Sequence, residues 1–183
     1  MGAENIRMGT CTISYKGTDL GLTSGGVEVE VTTTKKEIKV DQYGDTIANE
    51  FIMGRNIMVK APLAETTLGI LEDLMPGATM VADSGNTGTY SSPQAGDKYK
   101  VEVASGTGIS LFDLAGELIL HPIDKAPSDT SEDLVVPLAA TAGELSFAYK
   151  YDEERIFVAE FKGYPDQAQS NLLFIYGDKT ATA

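Results

Sequence analysis

Between Gly26 and Thr32 the chain alternates without a break. Val27, Val29 and Val31 fall on one face, Glu28, Glu30 and Thr32 on the other. A period of two marks a strand with one covered face. Lys98–Ala104 alternates over part of its length. Short apolar runs bounded by Gly, Pro, Asn and Asp predict further strands at Thr12–Tyr15, Glu37–Val40, Asn56–Ala61, Ala78–Ala82, Glu117–His121, Leu134–Leu138, Leu145–Tyr151, Arg155–Phe161 and Leu172–Tyr176. One helix is predicted over Glu65–Met75, where Leu68, Leu71 and Met75 form an apolar stripe. Glu65, Thr66 and Thr67 suit its N-terminus, and Pro76-Gly77 stops it. Many short strands with a single helix predict a mainly β fold, a sandwich or partial barrel with the helix (about 65–75) packed on one flank. No linker or repeat divides the chain, so residues 1–183 read as one domain.

Two stretches break the pattern. Asp83–Gly96 is rich in glycine and serine with almost nothing to bury, and reads as a long, mobile, exposed loop. Asp41–Asn56 is different. Gly44-Asp45 and Gly54-Arg55 are turn-like, yet Ile47, Phe51, Ile52 and Met53 lie between them. Apolar residues in such a segment fit a hairpin arm that buries itself on a neighbour, or a hairpin lying on its own domain.

Composition narrows the classes. With 42% hydrophobic and 22% charged residues, the chain has the balance of a soluble globular protein. Acids outnumber bases, 27 to 14, and the excess is spread: residues 1–92 hold 12 acids and 7 bases, residues 93–183 hold 15 and 7. Such a surface supports solubility and repels phosphate backbones, which argues against ordinary nucleic-acid binding. No apolar run is long enough to span a membrane. Met1–Thr10 carries Glu4 and Arg7 and no apolar stretch, unlike a secretory signal. Cys11 is the single cysteine, so the expectation is a protein made and used without export.

A search for chemistry finds no constellation, and the chain does not read as an enzyme. His121, in Ile119-Leu-His-Pro122, is the only histidine and cannot supply a multi-histidine metal site. It reads as a structural residue whose ring bonds the backbone. Cys11 reads as a small buried side chain. The acidic clusters Asp129/Glu132/Asp133 and Asp152/Glu153/Glu154 lack calcium-loop spacing, and the second reads as a solvated hairpin turn. Gly106-Thr-Gly108 and Gly177-Asp-Lys-Thr180 lack the spacing and following helix of a phosphate loop. No cofactor is implied.

Several segments, in order, resemble the major tail tube proteins of long-tailed (siphovirus-like) bacteriophages. Val40-Asp-Gln-Tyr-Gly-Asp45 resembles their "VDQxG" hairpin, and Lys60-Ala-Pro-Leu-Ala-Glu-Thr-Thr-Leu-Gly-Ile-Leu71 their strand-to-helix passage. Glu117-Leu-Ile-Leu-His-Pro122 is similar to a recurring "L-x-L-H-P" strand end. Glu154-Arg-Ile-Phe-Val-Ala-Glu-Phe-Lys-Gly-Tyr-Pro-Asp166 is similar to the closing strand with its "F-x-x-x-P-D" exit. Leu172–Asp178 fits as well, so the resemblance covers roughly Ile38 to Asp178.

The resemblance implies a β-sandwich flanked by the helix, assembled with copies of itself into hexameric rings that stack as a virion tail tube. Its partners would be itself, the tape measure and the terminator, with DNA passing non-specifically through the lumen and assembly taking place in the host cytoplasm. Six subunits giving four strands each, at roughly 4.8 Å, make a ring about 37 Å across before tilt widens it. A DNA duplex passes through such an opening. Glu28 and Glu30 are the candidate lumen-facing residues, where carboxylates would repel phosphate. Ile47, Phe51, Ile52 and Met53 are the candidate inter-subunit contacts, with the 83–96 loop as a second contact region. Related tail components (a terminator, a distal ring, a contractile-tail tube) are the alternative, followed by a β-sandwich ligand-binding module in which Tyr90 or Tyr99 stacks on a sugar.

Overall fold

A computed structural model describes residues 9–147, 149, 151 and 155–181. The chain is mainly β, with antiparallel sheets and one helix. Its strands are β1 (Cys11–Tyr15), β2 (Thr18–Asp19), β3 (Glu28–Lys39), β4 (Ile47–Leu63), β5 (Ala78–Ala82), β6 (Tyr99–Val103), β7 (Gly116–Pro122), β8 (Leu134–Thr141), β9 (Phe157–Gly163) and β10 (Ile175–Tyr176). The helix α1 spans Leu68–Leu74. The main sheet runs β2-β1-β7-β8-β9-β4-β3, with β10 also pairing β8, and β5 and β6 form a separate two-stranded sheet.

Alternation explains the core. On β4 the odd residues Ile57, Val59, Ala61 and Leu63 are buried, and on β9 their neighbours Phe157, Ala159 and Phe161 are buried beside them. Ile13 and Tyr15 of β1, and Leu118 and Leu120 of β7, extend this layer across the sheet. Tyr15 packs against Phe161 with ring centroids 5.0 Å apart, and its hydroxyl donates to the Ala139 carbonyl at 3.2 Å. Burial, reinforced by the charge of Asp73, pushes the Tyr15 phenol from 10.0 to about 12. At Gly163 even one methyl would collide with the Ile57 side chain, so this glycine marks close packing between sheet and side chains.

The helix covers the core by a different stripe from the expected one. Ile70 and Leu74 are buried, whereas Leu68 is exposed and Leu71 and Met75 are half-buried. The helix also starts later than Glu65: Thr67 is the N-cap, accepting from the Ile70 amide at 3.3 Å. Only seven residues are helical, and a helix of under two turns buries an i, i+4 pair, not a three-residue stripe.

Strand bounds shift most around the second and last elements. The predicted strands at Gly26–Thr32 and Glu37–Val40 are one strand, β3, and Asn56–Ala61 is the middle of a 17-residue β4. Leu172–Tyr176 contracts to β10, because Asp166 accepts from Ala168 and turns residues 167–169 into a short 3₁₀ segment upstream. In the predicted strand Leu145–Tyr151, Ala148 and Lys150 lie outside the described residues, and the others are not in a strand. The predicted turn at Asp152–Glu154 also lies outside the described residues.

The 83–96 segment is exposed but not loose. The Asp97 carboxylate accepts from the amides of Thr87, Gly88 and Gln94, and these bonds hold its pKa below the usual carboxylate range. Asn86 exchanges two hydrogen bonds with the Lys98 backbone at 2.9 Å each. Tyr90 packs edge-on against Tyr99, and its hydroxyl accepts from the Gly69 amide at the start of α1. Side chains supply the partners that a regular ladder would otherwise give, and that is invisible to a count of glycines and serines.

Candidate assembly surface

The distal β3–β4 hairpin is built by two long strands pairing beyond the body. Pairing starts at Glu28 with Lys60 and continues to Lys39 with Ile47. Asp41–Tyr43 form a single 3₁₀ turn at the tip, and Gly44 takes a positive φ of 60° to reverse the chain. Past Asn56 the described residues leave the hairpin open: every β4 residue from Ile47 to Asn56 is exposed, and on β3 only Thr33 is half-buried. Among the described residues the hairpin has the exposure of an arm.

Register decides where its apolar side chains point. Thr34 pairs with Gly54 but Lys35 pairs with Ile52, leaving Met53 as an extra residue, and a second shift leaves Ala48 extra. Each bulge exchanges the faces of the strand beyond it. Ile52 and, after the second shift, Ile47 therefore lie on the face that carries Val29 and Val31. Phe51, paired with Lys36, lies on the opposite face with Ile38. Ile47, Phe51, Ile52 and Met53 are 42, 51, 57 and 64% exposed, so both faces of the arm present apolar surface.

The body end of β3 adds an open edge. Among the described residues β3 is the terminal strand of the sheet, and it runs 12 residues with no strand on its outer side. Val29 and Val31 share the core-side face with Val59 and Ile57, yet stay 43 and 44% exposed. Glu28 and Glu30 occupy the opposite, exposed face. Their face is not uniformly acidic: Lys60 stands across from Glu28 and pairs with Glu160 at 3.4 Å, and Lys162 lies opposite Met58 one strand further on.

At the other end of β4, where Leu63 pairs with Phe157, a groove of about 480 Å³ opens between α1 and the 143–149 segment. Leu68, Leu71, Leu145, Phe147 and Phe157 line it, and Tyr149 and Arg155 rim it. Phe147 stacks on Phe157 with centroids 4.5 Å apart, and the Arg155 guanidinium sits over the rings of Tyr149 and Phe157. Periodicity alone gave this groove no signal, because Leu68 and Leu71 were assigned to the core.

The residues with chemical potential are occupied structurally. His121 Nδ1 lies 2.7 Å from the carboxylate of buried Asp133, so its partner is an acid and not the backbone. Lys125 bridges Asp129 at 3.3 Å and Glu132 at 3.2 Å, which gathers the acidic cluster around one ammonium. These acids hold the lysine above its ordinary value, and hydrogen bonds from Ser131 hold Asp129 below its own. Burial pushes the Cys11 thiol up, away from the reactive thiolate. Tyr90 and Tyr99 pack edge-on against each other, and the Tyr99 hydroxyl donates to the Gly88 carbonyl at 3.0 Å. Among the described residues there is no group of three or more His, Cys, Asp or Glu able to hold a metal, and no helix long and apolar enough to cross a membrane. No protein-family model matches this chain, and no curated protein matches it.

Proposed function

We propose that this chain is the major tail tube subunit of a long-tailed phage, a structural protein that self-assembles into stacked hexameric rings around a channel for DNA. The observation that carries the proposal is the β3–β4 arm, which holds exposed apolar side chains on both faces that none of the described residues covers. A two-stranded ribbon alone is marginal in water, and a long open edge invites pairing with another chain. A lone subunit with both is incomplete, and association is the state that covers them. The ordered motifs from Ile38 to Asp178 name the kind of assembly, with β3 at the sheet edge in position to extend a ring of strands and close it.

In that ring Glu28 and Glu30 face the lumen, on the uncovered side of the sheet. Three carboxylates, with Glu160, against Lys60 and Lys162 leave this face acidic on balance, which keeps a sliding phosphate backbone from sticking. Negative-stain microscopy of the purified chain tests the proposal: long tubes are expected. Isolated rings would assign the chain to a terminator or distal component, and single small particles at every concentration would overturn assembly altogether.

A further inference from the structure

The uncovered arm and the uncovered aromatic groove lie at opposite ends of one strand. The arm leaves the body at the Ile47 end of β4, and the groove sits at the Leu63 end. From Met53 and Ile52 to Leu63, ten or eleven steps at about 3.3 Å each put roughly 35 Å between them, so they cannot meet within one chain. Between copies they can, and a contact of two different patches repeats from subunit to subunit without being used up.

We propose that the arm of one copy seats Ile52 and the bulged Met53 in the groove lined by Leu68, Leu71 and Phe147 of the next copy. The inference rests on the assembly proposed above and names the partner of its arm.

Chemistry fits on three counts. Phe147 and Tyr149 are exposed and offer ring faces and edges, which suit an incoming aliphatic side chain and the polarizable thioether of Met53. Leu68 and Phe147 are 36 and 44% exposed, so the groove is lined by side chains that lack a cover, as the arm is. Charge points the same way. From Lys35 to Arg55 the arm has four basic and four acidic residues and is neutral, so the rest of the chain carries the whole net charge of −13. The arm is thus a segment able to approach a second, strongly acidic copy without like-charge repulsion.

The test is cysteine pairing between copies in a Cys11→Ser background. Subunits carrying only Met53→Cys are mixed with subunits carrying only Leu68→Cys, allowed to assemble, and oxidised mildly. Cross-linked dimers containing one of each are expected, and none when Glu30→Cys replaces Met53→Cys. In parallel, Leu68→Asp, a change at an exposed position, is expected to raise the concentration needed for assembly by at least about tenfold. Tubes or rings that form normally without the Met53–Leu68 cross-link, or that tolerate Leu68→Asp, would overturn the groove and leave assembly standing. A wild-type chain that stays monomeric would overturn both.

Discussion

Two halves of the same strand behave differently. From Ile57 to Leu63, β4 alternates between buried and half-buried, with β9 on one side and β3 on the other. From Ile47 to Asn56 it keeps its hydrogen-bonded partner β3 but is exposed at every position. The β3 ladder runs into both halves, but only the body half is also paired with β9 and buries its odd residues in the core. The contrast separates two uses of apolar residues: Phe161 in the body holds the fold, and Phe51 in the arm is available to another molecule.

The largest expected effect removes the arm cleanly. Thr33 and Arg55 are cross-strand partners, so replacing Thr34–Gly54 with Asn-Gly closes a two-residue hairpin there. The shortened chain should fold with unchanged circular dichroism and form no tubes by microscopy. Normal tubes would erase the distinction between the halves.

Within the body, Phe161→Ala removes a side chain that is 1% exposed and packed on Tyr15. It should cost about 3–5 kcal/mol in urea unfolding of the monomeric, arm-shortened chain. A cost below about 1 kcal/mol would mean that this layer is not the core.

Tyr15 gives the same layer a pH signature. Its folded value is raised from 10.0 to about 12, so the neutral phenol is favoured in the fold. Its contribution is fully present below pH 10, declines as pH rises, and is lost above about pH 12. Tyr15→Phe should flatten that alkaline decline in a series of unfolding curves, and an unchanged slope would remove Tyr15 as its source.

The smallest effect on folding is the most telling. Phe51→Ala, at a position 51% exposed, should change subunit stability by under about 0.5 kcal/mol while sharply reducing tube formation in sedimentation. A large loss of stability would show that the arm serves its own fold after all.

Much of this contrast was legible in the sequence. Valines alternating with glutamates gave a strand at 26–32, and apolar residues at 47 and 51–53 among turn signals singled out the arm. Ala78–Ala82 appeared with the expected bounds. Other features were not legible. Periodicity marks the Leu68–Leu71–Met75 stripe as the apolar side of the helix, but it does not show which of two overlapping sides meets the sheet. The 83–96 segment was taken as loose, because the bonds that order it converge on Asp97, a residue outside its glycine-rich stretch.

By itself, then, the sequence determined that this is a mainly β chain with one short helix, a dispersed acidic charge, and an apolar segment in a place where folding alone does not require one. These are local properties, set by side-chain periodicity and composition. Only the tertiary structure decided that the segment stands exposed, that a bulge at Met53 puts Ile52 and not Phe51 on the face of Val29 and Val31, and that an aromatic groove lies at the far end of the same strand. Register and layer contacts are properties of pairs of segments, and no single stretch of chain encodes which partner, or how much cover, it will receive.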